Sequence, residues 1–310
     1  MSTVKIFSGS GSISLANKIA SKFGKNLGQG KLGKFSDGEL SYRYTETVRG
    51  SDVYIIQSTV DSSDNLMVLF LMIDAAKRAS AKYVYVVIPY YGYARQDRKD
   101  KPRIAVSAKL IANLLTASGA SRIVSCDLHA GQIQGFFDIP LDHLNGSSVF
   151  VPYVKSLKLN NIIFASPDAG GTERVRDYAK YFNEDFVICD KTREKANKVK
   201  SVQVIGDVKN KHVIIIDDLI DTGGTIAMAS KVLIEKGAKS VRAIITHPVL
   251  SGNAEENLNN SSLNELVVTD SIPLKFRNKK IKVLSIAGLI AKAIRKIHEN
   301  ESTSSLFINR

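Results

Sequence analysis

Residues 213–225 read ValIleIleIleAspAspLeuIleAspThrGlyGlyThr. An apolar run ends in adjacent carboxylates, Asp217 and Asp218. A third, Asp221, follows, and Thr222, Gly223, Gly224 and Thr225 close the stretch. Glycines and hydroxyls ahead of a helix make a cradle for an anion. The first backbone N–H groups of a helix lack intrahelical partners, and the helix dipole favours negative charge there. Neighbouring carboxylates suit different chemistry. They can grip the vicinal hydroxyls of a ribose and hold Mg2+ through water. No GxxxxGK is present, so this is not a Walker A loop. SPDAGG (166–171) repeats the design, with Asp168 after a strand and before two glycines and a helix. Mg2+ takes one or two carboxylates plus phosphate oxygens, so Asp168 is a candidate ligand.

Other stretches are ambiguous on their own. His129 follows the apolar RIVSCDL (122–128) and neighbours Asp127. The adjacent acid and the glycine after it leave a metal or phosphate role and a structural one open. Arg95 and Gln96, with Asp97 beside them in ARQDRKDKPR (94–103), can present a planar fork to a purine or a phosphate. Alone, that run is equally a basic surface. FSDGE (35–39) sets Gly38 in a turn between acids, and KTREKAN (191–197) is basic; each alone reads as a solvated loop.

The elements that position these residues alternate. Apolar runs at 53–59, 83–90, 122–128, 161–167, 212–218 and 241–247 read as strands. Their unbroken apolarity indicates burial on both faces, as in parallel sheets. Helical periodicity fills 64–79, 105–119 and 225–237. This βαβ alternation predicts an α/β fold of mostly parallel sheets flanked by helices. The halves also resemble each other: 52–91 parallels 212–249 and 5–24 parallels 162–183, with an offset of about 160 residues. We therefore expect a duplicated domain, 1–147 and 148–310, joined at NGSSVF (145–150), with the last helix packing back on the N-terminal copy. Only the second copy carries DDLIDTGGT and PDAGGT; the first has QSTVDSSDN and SGSGSIS in their places.

Bulk properties narrow the function class. The chain has 310 residues, 44% hydrophobic and 24% charged, with no tryptophan and seven prolines, enough for two cores of ordinary size. Cys126 and Cys189 form no CxxC pair, which argues against a disulfide framework or a zinc site and for reduced thiols. The N-terminal MSTVKIFSGSGS has no apolar h-region, and the longest apolar run (66–73) is far short of the roughly 20 residues of a membrane span. We expect a cytoplasmic protein with no membrane partner. The net charge of +13 is spread along the chain without an aromatic-interleaved basic stripe, so it favours small anionic substrates over nucleic acid.

These motifs carry a family resemblance. VIIIDDLIDTGGT looks like the phosphoribosyl-pyrophosphate signature of the type I phosphoribosyltransferase fold. FSDGE, ARQDRKDKPR, DLHAGQIQGFFDIP (127–140), SPDAGG, KTREKAN, THPVLSG (246–252) and ESTSSLF (301–307) together resemble the class I ribose-phosphate diphosphokinases, in family order over nearly the whole chain. The resemblance implies two phosphoribosyltransferase-type domains, and transfer of the diphosphate of ATP to ribose 5-phosphate with Mg2+ as cofactor. It implies ATP contacts at Phe35, Asp37, Gly38, Glu39, Arg95, Gln96 and Asp97. Ribose 5-phosphate would lie on Asp217, Asp218, Asp221, Thr222, Gly223, Gly224, Thr225 and Arg193. Metal contacts would come from His129, Asp168 and Asp127, and catalysis from Lys191 and Arg193 on a mobile loop. It further implies a dimer-based homo-oligomer, commonly a hexamer. ADP and inorganic phosphate would act as effectors near Arg49, Arg103, Ser302 and Ser304. ThrGluArg after SPDAGG departs from the family's usual small or apolar residues, and Glu173 is expected to face solvent. Two rivals are a non-catalytic paralogue, disfavoured by the intact KTREKAN, and a phosphoribosyltransferase or RNA-binding derivative, in which FSDGE, ARQD and DLHAGQIQGFF would serve no purpose.

Overall fold

The computed structural model describes residues 2–60, 63–195 and 198–308, without the side chains of 191–202. The chain divides into two units. The first takes 1–145, 271–273 and 286–307; the second takes 146–270, 274–285 and 308.

The first unit runs β1 (Val4–Ser8), α1 (Ile13–Phe23), β2 (Gly30–Lys34), β3 (Leu40–Tyr44), β4 (Asp52–Ile56), α2 (Ser63–Arg78), β5 (Tyr83–Ile88), α3 (Ser107–Ser118), β6 (Arg122–Cys126) and β7 (Leu141–Leu144). The second runs α4 (Ser147–Ser156), β8 (Ile162–Ser166), α5 (Thr172–Phe182), β9 (Phe186–Lys195), β10 (Lys198–Ile205), β11 (His212–Ile220), α6 (Gly224–Glu235), β12 (Ser240–Pro248), α7 (Ala254–Asn259), β13 (Glu265–Thr269) and β14 (Ile281–Leu284). Helix α8 (Ala287–His298) returns to the first unit. There Arg295 donates to the Phe23 carbonyl at 2.9 Å, and His298 Nδ1 lies 2.9 Å from the buried Asp52.

Both sheets have the same plan. The order β1-β4-β5-β6-β7 of the first sheet recurs as β8-β11-β12-β13-β14 in the second, all neighbours parallel, and the second sheet adds β9, parallel to β8, and β10, antiparallel to β9. Register makes the duplication residue-specific. Asp52 pairs with Val4 and Tyr83, and His212 pairs with Ile162 and Ser240. Each unit also inserts a hairpin: β2–β3, between α1 and β4, is a separate two-stranded sheet, whereas β9–β10, between α5 and β11, joins the main sheet of the second unit.

Burial on both faces explains the unbroken apolar strands. On β11, Val213 and Ile215 pack in a core with Ile226, Ala229 and Leu233 of α6. Ile214 and Ile216 face the opposite core of Phe150, Val154, Val175 and Tyr178 from α4 and α5. Each such isoleucine contributes about 1.5–3 kcal/mol on burial. Among the described residues no helix is long and apolar enough to cross a membrane.

Two expectations need correction. The segment after Asp218 is not a loop, because β11 continues to Ile220: Leu219 and Ile220 pair with His247 and Pro248 of a longer β12. The KTREKAN segment is not a free loop over 191–195 either. Its backbone belongs to β9, where Lys191 pairs with Val202 and Arg193 with Val199. A charged strand at a sheet edge has no apolar signal to distinguish it from loop.

Candidate active site

In the second unit, the ends of β8 and β11 carry the acids. Asp218 is buried and its backbone N–H donates to Asp217 Oδ1 at 2.9 Å. Arg174 Nη1, from the first turn of α5, stands 3.1 Å from Asp218 Oδ1 and 3.7 Å from Asp217 Oδ1. Burial pushes the Asp217 carboxyl well above the usual carboxylate range. The Asp218 charge adds to this, the Arg174 guanidinium opposes it, and Asp168 contributes further upward. Asp168, Asp217 and Asp218 thus act on one another although Asp168 lies about 50 residues upstream.

Asp168 is set by its own turn. The Ser166 hydroxyl donates to the Asp168 carbonyl at 2.5 Å, and the Gly171 N–H donates to Asp168 Oδ1 at 3.1 Å. A Cβ on Gly171 would lie 2.9 Å from Ser166 Oγ, so this turn needs glycine. Glu173 is exposed in the first turn of α5, where a carboxylate favours the dipole.

The segment 221–225 forms the cradle. Gly223 adopts φ +76°, a left-handed conformation that glycine takes without strain, and α6 opens at Gly224, one residue before the expected start. Gly223 has no side chain to cap the helix, which leaves the first N–H groups for a ligand. The turn is braced from outside: Ser251 donates its hydroxyl to Asp221, Asn257 Nδ2 donates to the Thr222 carbonyl at 2.8 Å, and the Leu250 N–H donates to the Ile220 carbonyl at 3.0 Å. Sequence reasoning missed Arg174 and Asn257. Both act across the fold, and the only local hint was a base in the first turn of a helix, against the dipole.

The first unit carries the other candidates. Asp97 accepts from Gln132 Nε2 at 3.0 Å, so ARQD and the DLHAGQ segment meet. Gln96 is held by the Ser107 hydroxyl. Asp127 is buried with φ +42°, and the adjacent Leu128 N–H donates to His143 Nε2 at 2.9 Å; His129 beyond it is exposed. FSDGE is the tip of the β2–β3 hairpin. The Glu39 N–H donates to Asp37 Oδ1 at 3.0 Å, Gly38 takes φ +98°, and Phe35 is 61% exposed. Arg49 donates to Ser80 Oγ at 3.1 Å, Arg103 is exposed, and the Ser304 N–H donates to Ser302 Oγ at 3.2 Å. The side chains of Lys191 and Arg193 lie outside the described residues.

Among the described residues no three His, Cys, Asp or Glu side chains group closely enough to form a metal cage. Mg2+ needs fewer, since it keeps water and takes oxygens from substrate phosphates. The hard oxygen donors of Asp168, or of the adjacent Asp217 and Asp218, suit an ion that takes one or two carboxylates.

A family model described as the N-terminal domain of ribose phosphate pyrophosphokinase matches residues 4–119, and one for the phosphoribosyl synthetase-associated domain matches 178–308. The chain is 50% identical over 303 residues to a ribose-phosphate pyrophosphokinase of Porphyromonas gingivalis, covering 97% of each chain. It is 52% identical to one of Campylobacter jejuni, covering 98% of this chain and 99% of the relative. The chain belongs to the ribose-phosphate pyrophosphokinase family. A phosphoribosylpyrophosphate synthetase from Mycobacterium smegmatis superposes with a TM-score of 0.91 at 39% identity, over 96% of this chain and 99% of that one.

In this ribose-phosphate pyrophosphokinase fold of two phosphoribosyltransferase-type domains, only one copy keeps an open cradle. Register places Gln57, five residues after Asp52, where the second copy has Asp217, five after His212. Gln57 is fully buried; its Oε1 accepts from the Gly11 N–H at 3.0 Å, and its Nε2 donates to Asn65 Oδ1 at 3.0 Å. A Cβ on Gly9 would lie 2.3 Å from Gln57 Oε1, so the side chain fills the space over the SGSGS loop. Replacing Gln57 by alanine strands the Gly11 N–H, while the Asn65 amide keeps Ser10 and the Val60 carbonyl. We expect a loss of about 1–3 kcal/mol of unfolding free energy in denaturant titrations. The rate of the native enzyme should be unchanged.

Proposed function

We propose that the chain transfers the diphosphate of ATP to the C1 hydroxyl of ribose 5-phosphate, giving phosphoribosyl pyrophosphate and AMP for nucleotide biosynthesis. The observation that carries this reading is the second-copy site: paired acids for ribose hydroxyls, followed directly by an uncapped helix start for the 5-phosphate. Full-length identity of about half with the ribose-phosphate pyrophosphokinases supports it. The domain reading that goes with it assigns the ATP loops to 1–147 and the sugar and catalytic loops to 148–310.

The roles are carried over residue by residue from the family resemblance. Thr222, Gly223, Gly224 and Thr225 hold the 5-phosphate, and Asp217, Asp218 and Asp221 orient the ribose and its metal-bound water. Arg95, Gln96 and Asp97 bind ATP, with Phe35, Asp37, Gly38 and Glu39 at the adenine. The anomeric hydroxyl attacks the β-phosphorus, the bond from the β-phosphorus to the oxygen shared with the α-phosphorus breaks, and AMP leaves. Lys191 and Arg193 neutralise charge on the transferring group, so catalysis is positioning plus electrostatics. Asp168 in the second unit and His129 and Asp127 in the first are the proposed Mg2+ contacts, and the ion when bound would neutralise the polyphosphate. A cytoplasmic homo-oligomer, dimer-based and commonly hexameric, belongs to the same reading. So does control by ADP and inorganic phosphate near Arg49, Arg103, Ser302 and Ser304.

The test is AMP release from ATP with and without ribose 5-phosphate, in Mg2+. Ribose-dependent AMP is the expected result. No AMP under any condition would point to a non-catalytic paralogue. Diphosphate release on adding a nucleobase to phosphoribosyl pyrophosphate would point to a transferase.

A further inference from the structure

Arg174 is not explained by the stability of its own helix. It occupies the first turn of α5, where the dipole opposes a cation, yet its guanidinium reaches the two acids at the end of β11. Local rules broken without local gain mark sites under functional demand. The same helix grows out of the turn capped by Asp168, so one side chain ties the SPDAGG loop to the sugar-binding strand. Two like charges side by side repel, and Arg174 Nη1 lies within 4 Å of both, hydrogen-bonded to Asp218 at 3.1 Å and 3.7 Å from Asp217, so one cation offsets the repulsion and holds the pair.

We propose that Arg174 is a positioning residue for sugar recognition: it holds Asp217 and Asp218 splayed for the two vicinal hydroxyls of a ribose 5-phosphate. This rests on the ribose 5-phosphate reading of the site. A ligand lacking one hydroxyl cannot use the full arrangement, so Arg174 governs discrimination between ribose 5-phosphate and 2-deoxyribose 5-phosphate. A counter-ion serving only stability would affect both sugars alike.

The experiment measures calorimetric binding of both sugars, with Mg2+, to the full chain and to Arg174→Gln and Arg174→Lys. In the native protein ribose 5-phosphate binds and the deoxy sugar binds more weakly. For Arg174→Gln we expect ribose 5-phosphate affinity to fall roughly tenfold to a hundredfold, the deoxy sugar to change little, and discrimination to collapse. Arg174→Lys should recover only part, since it restores the charge on a compact, strongly hydrated ammonium without the planar, weakly hydrated guanidinium. Equal losses for both sugars, full recovery by lysine, or unchanged ribose affinity would each overturn the proposal. Failure of the native protein to bind ribose 5-phosphate would instead overturn the functional reading, and the proposal with it. Thermal melting of each variant identifies one that binds nothing because it is unfolded; Arg174→Lys then decides by the same ratio.

Discussion

Lys191→Ala should lower the rate of ribose-dependent AMP formation by on the order of 10³-fold, with an unchanged melting temperature. Phosphoryl transfer spreads negative charge over the moving group, and a positioned cation is worth most where water is excluded. Strand β9 runs parallel to β8 with Ile188 beside Ser166, and Lys191 follows three residues later on the same strand. The hairpin is anchored by Val187 and Cys189 of β9 and Val204 of β10, which pack in the core before and after the charged stretch, so losing the Lys191 side chain should cost little stability. Steady-state AMP formation at saturating substrates, alongside a thermal melt, checks this. A rate within a few-fold of native would remove Lys191 from the catalytic group. Lys191→Arg should retain an intermediate rate, since it keeps charge with a different shape.

Asp218→Ala should lower kcat/KM for ribose 5-phosphate by on the order of 10²–10³, while the KM for ATP moves little. Asp218 is buried against Arg174, so its loss removes the proposed sugar contact and one of the two carboxylates facing that arginine at once. Asp217 remains 3.7 Å from Arg174 and no longer faces a like charge on the next residue, so stability should change by only a few degrees of melting temperature. Varying each substrate separately reads the split. Equal damage to both KM values would argue for general disruption of the strand end.

Much of the framework was legible. Unbroken apolar runs marked the central strands of both sheets, because strands covered on both faces need apolar residues at every position. The duplication was legible too, and register later matched Asp52 with His212 residue for residue. Edge strands were not. β7 and β14 are four residues each, and the outermost hairpin β9–β10 carries its charges at the turn end, DKTREK and KVK, so little local signal separated them from loops. The return of α8 to the first unit was expected from resemblance alone, since an amphipathic helix does not encode which surface it covers. The contact between His298 and Asp52 spans 246 residues.

By itself, the sequence determined the inventory of the site: paired acids, a glycine and threonine cradle, a second aspartate turn, and their confinement to one of two copies. Those features are contiguous, and their chemistry follows from residue type and order. Tertiary structure decided the rest. It carried β11 past the acids because β12 supplies partners, brought Arg174 across to the acid pair, and closed the first copy with Gln57. Each depends on pairing or packing between residues distant in the chain, which no local pattern records.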